Sequence, residues 1–309
     1  MSEIENNMSR EDEAADQLEG AESRNKKLIL RVTDPGLKSL STKPNLLDYA
    51  RQIWERRHFI WAEAKSKALR STRDYRLWQL WLILNPFFDV ALYGLFFGLM
   101  FKTSRGVDNY VGFLVLGIFF MRMITGLLVE GVGLISKSKS MIRAFQFPRA
   151  ALVFSQTIRA GIDNLAPAFA GLILAFLMQR GEPPSWTIIL VPIVYILIHI
   201  FGCGIMFIVA RTTAQVRETK TLVNMVTPAW FFLSGVMFTV DRFDHLPRVQ
   251  RLIEINPAYI FLNVVRDVSI YTTLPSLDVW LTLFAWSFGT FTIGFLYFYG
   301  AEDRYVQIA

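Results

Sequence analysis

Five charged side chains lie inside segments that are otherwise apolar and long enough to cross a membrane. A charge near the middle of a bilayer is costly unless it is paired or hydrated, so each one indicates a partner or a function. Counting along the chain places Asp89 and Arg122 at one depth in the membrane. Glu130 and Arg159 lie at another depth, and Asp163 lies one helical turn beyond Arg159. These depths predict either buried ion pairs that fix helix register or polar groups facing a hydrated conduit. The five residues are Asp89, Arg122, Glu130, Arg159 and Asp163.

Motifs for enzymatic or metal chemistry do not occur in the sequence. There is no Gly-x-x-x-x-Gly-Lys-Ser/Thr phosphate loop, so we expect no ATPase site in this chain. The histidines are scattered, and no His-Glu-x-x-His or Cys-x-x-Cys spacing indicates a metal. We therefore predict no catalytic residue, no metal site and no cofactor in this chain. His199, inside an apolar segment, is interpreted as a hydrogen-bonded helix residue, and the lone Cys203 permits no internal disulfide.

The composition explains why membrane segments must position these residues. Of 309 residues, 53% are hydrophobic and 19% charged, with a mean hydropathy of +0.35, which excludes ordinary soluble domains and disordered chains. The net charge of +6 is unevenly distributed, because residues 1–27 carry eight acids against four bases. We predict that residues 1–27 form a disordered acidic tail. The remaining bases flank apolar segments, which favours membrane lipids over nucleic acid as their partner.

Six apolar segments are long enough to cross about 30 Å of hydrocarbon as helices. With both termini inside, the cytoplasmic segments contain sixteen Lys and Arg residues and the outer ones seven, as the positive-inside rule requires. The sequence thus predicts an all-α polytopic membrane protein with six transmembrane helices and cytoplasmic N- and C-termini. The predicted spans are Trp78 to Phe101, Tyr110 to Ile135, Ala151 to Met178, Trp186 to Ala210, Leu222 to Val240 and Val279 to Gly300.

Two further segments are neither spans nor simple loops. In residues 28–77, which we interpret as a cytoplasmic linker, bases alternate with apolar residues from Tyr49 to Arg76, as in a helix lying in the membrane interface. Between spans five and six, the segment from Asp241 to Asp278 is too short to cross, so short outer or re-entrant helices are predicted. Asn256 should cap one of them, with Pro257 at its first position. Residues 78–309 then form one six-helix transmembrane domain.

The order of these features resembles the permease subunit of ABC-2 type polysaccharide exporters, the O-antigen and teichoic acid group. The likeness covers the chain from about Tyr49 to the C-terminus. The acidic N-terminal extension and the sequence FFMRM around Arg122 resemble actinobacterial members that export a cell-wall galactan precursor. The motifs that carry the likeness are NPFFDVALYGLFFGLMF (residues 85–101), FQFPRA (145–150), PAWFFLSGVMF (228–238), LPRVQRLIEINP (246–257) and VVRD (264–267).

The resemblance implies a homodimer that works with two copies of a separate ABC ATPase subunit, which would bind ATP and Mg. The expected cargo is a polyprenyl diphosphate-linked glycan that crosses the bacterial inner membrane. The segment after span two would contact the ATPase, although the same bases also suit a simple cytoplasmic turn. The residues expected to couple to the ATPase are Ser140, Met141, Ile142, Arg143, Phe145 and Gln146.

A glycan cannot enter hydrocarbon, so its carrier needs a hydrated tunnel. Aromatic rings on spans one and five could line this tunnel, because they offer sugars an apolar face with little loss of entropy. Ordinary packing or lipid contact is the alternative for these rings. The candidates are Tyr93, Phe97 and Phe101 on span one, and Phe231 and Phe238, which we expect on one face of span five.

Three other functions remain open, and one of them is a non-transporting scaffold. An ABC-2 exporter of drugs or small lipids would share the same fold. A membrane-embedded glycosyltransferase is disfavoured, because the sequence has no Asp-x-Asp pair and no cluster of His and Glu at a membrane face.

Overall fold

A computed structural model describes residues 45–71, 109–179 and 185–308, together with the single positions 84, 88, 91, 92 and 95. Within these ranges the chain forms α-helices and two 3₁₀ helices, Trp186–Leu190 and Val240–Phe243, without a strand. The all-α prediction is therefore confirmed. The α-helices are α1 Leu46–Glu55, α2 Arg57–Ser71, α3 Tyr110–Glu130, α4 Leu134–Lys137, α5 Lys139–Ala144, α6 Ala150–Leu177, α7 Val191–Gln215, α8 Thr219–Leu233, α9 Pro247–Ile255, α10 Pro257–Ser269, α11 Leu277–Tyr299 and α12 Glu302–Ile308.

Four helices in the described ranges are long and apolar enough to cross a membrane. They are α3, α6, α11 and the continuous helix formed by Trp186–Leu190 and α7. They correspond to predicted spans two, three, six and four, although α3 ends at Glu130 rather than at Ile135. Predicted span one and the acidic tail lie outside the described ranges, apart from the single positions named above.

The most buried of these helices is α3, which packs against α6, α7, α8 and α10. The chain then alternates between two ends of the bundle, which we call the Tyr110 end and the Ala150 end after the first residues of α3 and α6. At the Tyr110 end, the Asn109 side chain donates to the Ala175 carbonyl 3.2 Å away, near the end of α6. At the Ala150 end, Thr213 near the end of α7 accepts from the Gly133 amide, 3.0 Å away.

The least buried of the four helices, α11, packs mainly along α7. A Cβ atom added at Gly204 would collide with the α11 backbone, and one added at Gly294 would collide with the Gly204 carbonyl. Small residues allow such close backbone approach between membrane helices, where van der Waals packing replaces the hydrophobic effect.

The fifth predicted span differs from the structure at its C-terminal end. Helix α8 ends at Leu233, seven positions before the predicted end, and is too short for the membrane-length class. Gly235 follows with φ of 62°, a left-handed conformation in which a helix cannot continue. The prediction of one helix from Leu222 to Val240 was therefore wrong at this end.

Between α8 and α11, the chain forms the two short helices α9 and α10. The Asn256 side chain accepts a hydrogen bond from the Ala258 amide at 3.1 Å, and Pro257 is the first helical residue, as predicted. Helix α10 packs against α3, α7 and α11, so it lies within the bundle.

The predicted interface helix consists of two helices, α1 and α2, with a turn at Arg56. Helix α2 packs against α6, and the Phe59 ring contacts the Phe147 ring with centroids 5.6 Å apart. Trp54 and Trp61 remain more than half exposed, and their contact with lipid headgroups stays a prediction. These helices thus lie at the Ala150 end.

Candidate functional site

A band of polar side chains crosses the bundle between α3, α6 and α7. Arg159 Nε and Asp163 Oδ2 are 3.3 Å apart on one face of α6, which is the pair that their spacing favours. One turn earlier on α6, the Gln156 side chain hydrogen-bonds Glu130 of α3. The second Glu130 oxygen, Oε2, is buried and has no hydrogen-bond partner. Glu130 and Arg159 therefore lie close enough for their charges to interact.

The same band continues on α7 around His199. One ring nitrogen, Nε2, lies 3.2 Å from the Asn164 amide nitrogen, and Nδ1 lies 2.8 Å from the Tyr195 carbonyl oxygen. The Tyr195 hydroxyl donates to the Gly161 carbonyl. His199 is thus a hydrogen-bonded helix residue, as its sequence context predicted. A largely apolar groove of about 390 Å³ lies beside these groups, between α6 and α7.

Only one member of the predicted pair of Asp89 and Arg122 lies within the described residues. Arg122 is an exposed residue on α3, whereas Asp89 lies outside the described residues. Their pairing therefore remains a prediction.

The break after α8 is held by a buried arginine from α10. Arg266 is 1% exposed, and its guanidinium donates to the carbonyls of Gly235 and Val236, each at 3.0 Å, and of Phe113 at 3.3 Å. The guanidinium also covers the Phe113 ring, 3.4 Å from its centroid. The guanidinium remains a cation at neutral pH, because an arginine side chain is not deprotonated in proteins.

Two more side chains complete the hydrogen bonding of this turn. The Tyr110 hydroxyl donates to the Met237 carbonyl at 3.2 Å. Asn256 donates to the Leu233 carbonyl at 3.2 Å and to the Ser234 hydroxyl at 3.0 Å, and it accepts from Trp230 Nε1 at 2.9 Å. Non-helical backbone inside a membrane protein requires such partners, because water is scarce there. We call Arg266, Tyr110 and Asn256 the turn clamp.

At the opposite end, the predicted coupling segment forms the six-residue helix α5, followed by extended backbone from Phe145. Ile142 is buried in the core at the Ala150 end and anchors the helix. The exposed residues are Ser140, Arg143, Gln146 and Phe145, and Phe145 is 65% exposed. The apolar residues of this segment do not form one edge, because Ile142 faces inward, Met141 is half-buried and Phe145 faces outward.

A metal centre finds no support in the described ranges, where no group of three His, Cys, Asp or Glu side chains could hold an ion. What the described ranges do contain is a membrane bundle with a clamped turn at one end and an exposed short helix at the other. A family model described as ABC-2 type transporter matches residues 60–270, which is more than half of the chain. The chain belongs to the ABC-2 type transporter family.

One relative indicates which kind of ABC-2 transporter this chain resembles. Over 244 residues the chain is 20% identical to the O-antigen export system permease protein RfbA of Myxococcus xanthus. The alignment covers 78% of this chain and 91% of that protein. The resemblance to ABC-2 polysaccharide exporter permeases is thus confirmed. The family match includes α5 and the whole turn clamp.

The aromatic candidates of this ABC-2 chain fall into two groups. Tyr93, Phe97 and Phe101 lie outside the described residues. Phe231 lies on α8, half-buried, whereas Phe238 follows the break and contacts the Phe243 ring at 5.3 Å. The expectation that Phe231 and Phe238 share one helical face was wrong, because α8 ends between them.

Arg266 is a functional candidate to which the sequence analysis assigned no role, although it lies in the VVRD motif. Its signal was a lone arginine among the apolar positions of a short helix, next to Asp267. The carbonyls that it binds lie about thirty positions earlier in the chain. Gly117 of α3 makes room for the guanidinium, since a Cβ atom there would collide with Arg266 Nη2.

Proposed function

We propose that this protein is the permease subunit of an ATP-driven exporter of a polyprenyl diphosphate-linked polysaccharide in the bacterial inner membrane. The observation that carries the proposal is the alignment with an O-antigen export permease over 91% of that protein's length, within a matched ABC-2 family. A cell-wall galactan precursor is the specific glycan favoured by the sequence around Arg122 and by the acidic extension. An exporter of drugs or small lipids is the alternative.

In this proposal the Ala150 end faces the cytoplasm and the ATPase. Helix α5 is anchored by Ile142 and presents Arg143, Phe145 and Gln146 to the outside. An exposed aromatic ring beside a cation is typical of the residues that dominate protein interfaces. ATP and Mg would be bound by the partner subunit, and this chain would contribute no catalytic group.

The Tyr110 end faces the outside in the same proposal, with both chain termini in the cytoplasm. Helices α9 and α10 then form the re-entrant outer segment, and the turn clamp fixes where α8 gives way to it. Two copies of the permease would enclose a hydrated path between them, each contributing the same surface, as the resemblance to dimeric exporters implies. Phe231 remains the described candidate for contact with a sugar face, together with the predicted rings on span one.

Transport by purified complexes tests the proposal. The permease and its separate ABC ATPase subunit would be reconstituted in proteoliposomes, and a polyprenyl diphosphate-linked galactan would be supplied with ATP on the ATPase side. We expect glycan to become accessible to a galactan hydrolase in the lumen, and no transport when the Walker lysine of the ATPase is replaced. ATP-dependent export of a fluorescent drug or phospholipid, with none of the glycan, would refute the substrate assignment.

Crosslinking tests the orientation of α5. A cysteine replacing Ser140 or Phe145 should crosslink to the ATPase subunit, because both positions are exposed on the segment that is proposed to contact it. A cysteine replacing Arg248, which is exposed on α9 at the other end, serves as the matched control and should not react with the ATPase. Crosslinking at Arg248 alone would invert the proposed topology.

A further inference from the structure

The first turn of α6 is capped by side chains from two distant parts of the chain. Arg149, the residue before α6, supplies no side-chain cap of its own. Instead, Glu302 Oε1 accepts a hydrogen bond from the Arg149 amide at 2.9 Å and from Arg149 Nη1 at 3.2 Å. The Tyr49 hydroxyl accepts from the Ala150 amide at 3.1 Å and donates to Glu302 Oε2 at 2.7 Å. We call Tyr49, Arg149 and Glu302 the α6 cap.

The α6 cap is buried, and its chemistry suits the start of a helix. Tyr49 is 1% exposed and Glu302 is 3% exposed. The first amides of a helix lack intrahelical partners and carry partial positive charge, so a carboxylate there is favourable. Burial, followed by the nearby Glu302 charge, raises the pKa of Tyr49, which keeps the hydroxyl protonated as a donor.

Three elements meet at this cap, and each is independently anchored. Tyr49 belongs to α1, and its ring packs against the Tyr299 ring with centroids 5.0 Å apart. Glu302 begins α12, whose Tyr305 ring is fully buried and packs against the Phe298 ring with centroids 4.6 Å apart. The capped end of α6 follows the exposed residues Phe145 and Gln146 after two buried residues, Phe147 and Pro148. Arg56, in the turn after α1, also donates to the Gln146 carbonyl at 3.4 Å.

We propose that Tyr49 and Glu302 are positioning residues that make α1, α12 and the coupling segment move as one body with the cytoplasmic end of α6. The inference rests on the proposed function, in which the ATPase pushes on α5 and Phe145. Without the cap, a displacement of this segment by the ATPase would rotate the short helix α5 alone and would not reach α6. With the cap intact, it is transmitted to α6 and to the helix that lies in the membrane interface.

Tyr49→Phe is the sharpest variant, because it removes both hydroxyl hydrogen bonds and keeps the ring packing. Tyr305→Phe is its matched control, since it removes one buried hydroxyl hydrogen bond within the C-terminal segment without touching α6. Glu302→Ala removes the carboxylate, and Asp303→Ala changes its exposed neighbour. Glu302→Gln should disturb the α6 cap less than Glu302→Ala does, because the amide oxygen can still accept from the Arg149 amide.

The first measurement needs neither cargo nor ATPase. Spin labels on cysteines replacing Arg51 and Ser140, both exposed, report the distance between α1 and the coupling segment in nanodiscs. The native protein, Tyr305→Phe and Asp303→Ala should give one narrow distance distribution, whereas Tyr49→Phe and Glu302→Ala should broaden it. Equal narrow distributions in all variants would overturn the proposal.

The second measurement is glycan exported per ATP hydrolysed by the reconstituted complex. We expect Tyr49→Phe to keep ATP hydrolysis and complex assembly while lowering this ratio about tenfold, the effect of about 1.4 kcal/mol on a coupling equilibrium. A parallel fall in assembly, hydrolysis and export would show a merely structural cap and overturn the proposal. Absence of glycan export by the native complex would refute the proposed cargo instead, and the spin-label distances would then decide about the cap alone.

Discussion

Replacing Arg266 with methionine removes the guanidinium of the turn clamp and keeps most of the side-chain volume. The Gly235 and Val236 carbonyls, which lie beyond the end of α8 and are buried, would lose the donors described above. The Phe113 carbonyl lies inside α3, so it keeps a helical partner. The perturbation should therefore act on the turn at residues 234–237 before it affects the helices.

The magnitude follows from the number of orphaned groups. Each buried carbonyl left without a donor costs about 1–3 kcal/mol, so two cost about 2–6 kcal/mol. Relief from burying a cation without a carboxylate partner offsets part of this sum. We expect a net loss of about 3 kcal/mol in the local stability of the turn, or more than a hundredfold in its opening equilibrium.

Hydrogen exchange of the purified protein in nanodiscs measures this opening. The amides of residues 234–239 should lose protection in Arg266→Met and keep it in Arg251→Met, an exposed arginine on α9. Tyr110→Phe, which removes one neutral donor, should have a smaller effect of about 1 kcal/mol. Native protection of these amides in Arg266→Met would show that the guanidinium does not hold the turn.

The remaining predictions concern the exposed Phe145 ring, the packing of α11 and the ion pair of Arg159 and Asp163. Phe145→Ala should weaken copurification of the ATPase without lowering the melting temperature of the permease, because the ring is exposed; unchanged copurification would speak against an ATPase contact. Gly294→Ala should destabilise by about 1–3 kcal/mol through its clash with α7, whereas Gly289→Ala, with open space around it, should not, as measured by thermal melting. Asp163→Asn and Arg159→Gln should each lower the melting temperature more than the double variant does. Additive losses in that double variant would remove the pairing argument.

Several features of the fold could be predicted from the sequence because their physics is local. A run of apolar residues must leave water wherever it lies in the chain, so the sequence predicts the four membrane-length helices seen in the described ranges. The pair of Arg159 and Asp163 depends only on helical spacing. The cap at Asn256 depends on its own side chain and on the proline that follows.

Other features needed the tertiary structure, because their partners are far apart in the sequence. Uncharged and mostly apolar residues continue from Leu233 to Val240, so hydropathy alone extends α8 through the point where the structure ends it. The break is stable only because Asn256 and Arg266 from later helices satisfy the freed carbonyls. Phe238 consequently leaves the helical face that it was expected to share with Phe231.

The α6 cap shows the same division most clearly. Sequence alone identifies a helix that begins near Ala150, and it gives that helix no capping side chain. Glu302 is one acid in a polar C-terminal segment, and Tyr49 is one aromatic residue in an amphipathic helix, 253 positions away. Only the packing of α1 and α12 on the start of α6 brings a carboxylate and a hydroxyl to the two amides that need acceptors. Local patterns determine which segments are helices, whereas long-range hydrogen bonds decide where those helices end and which of them can move together.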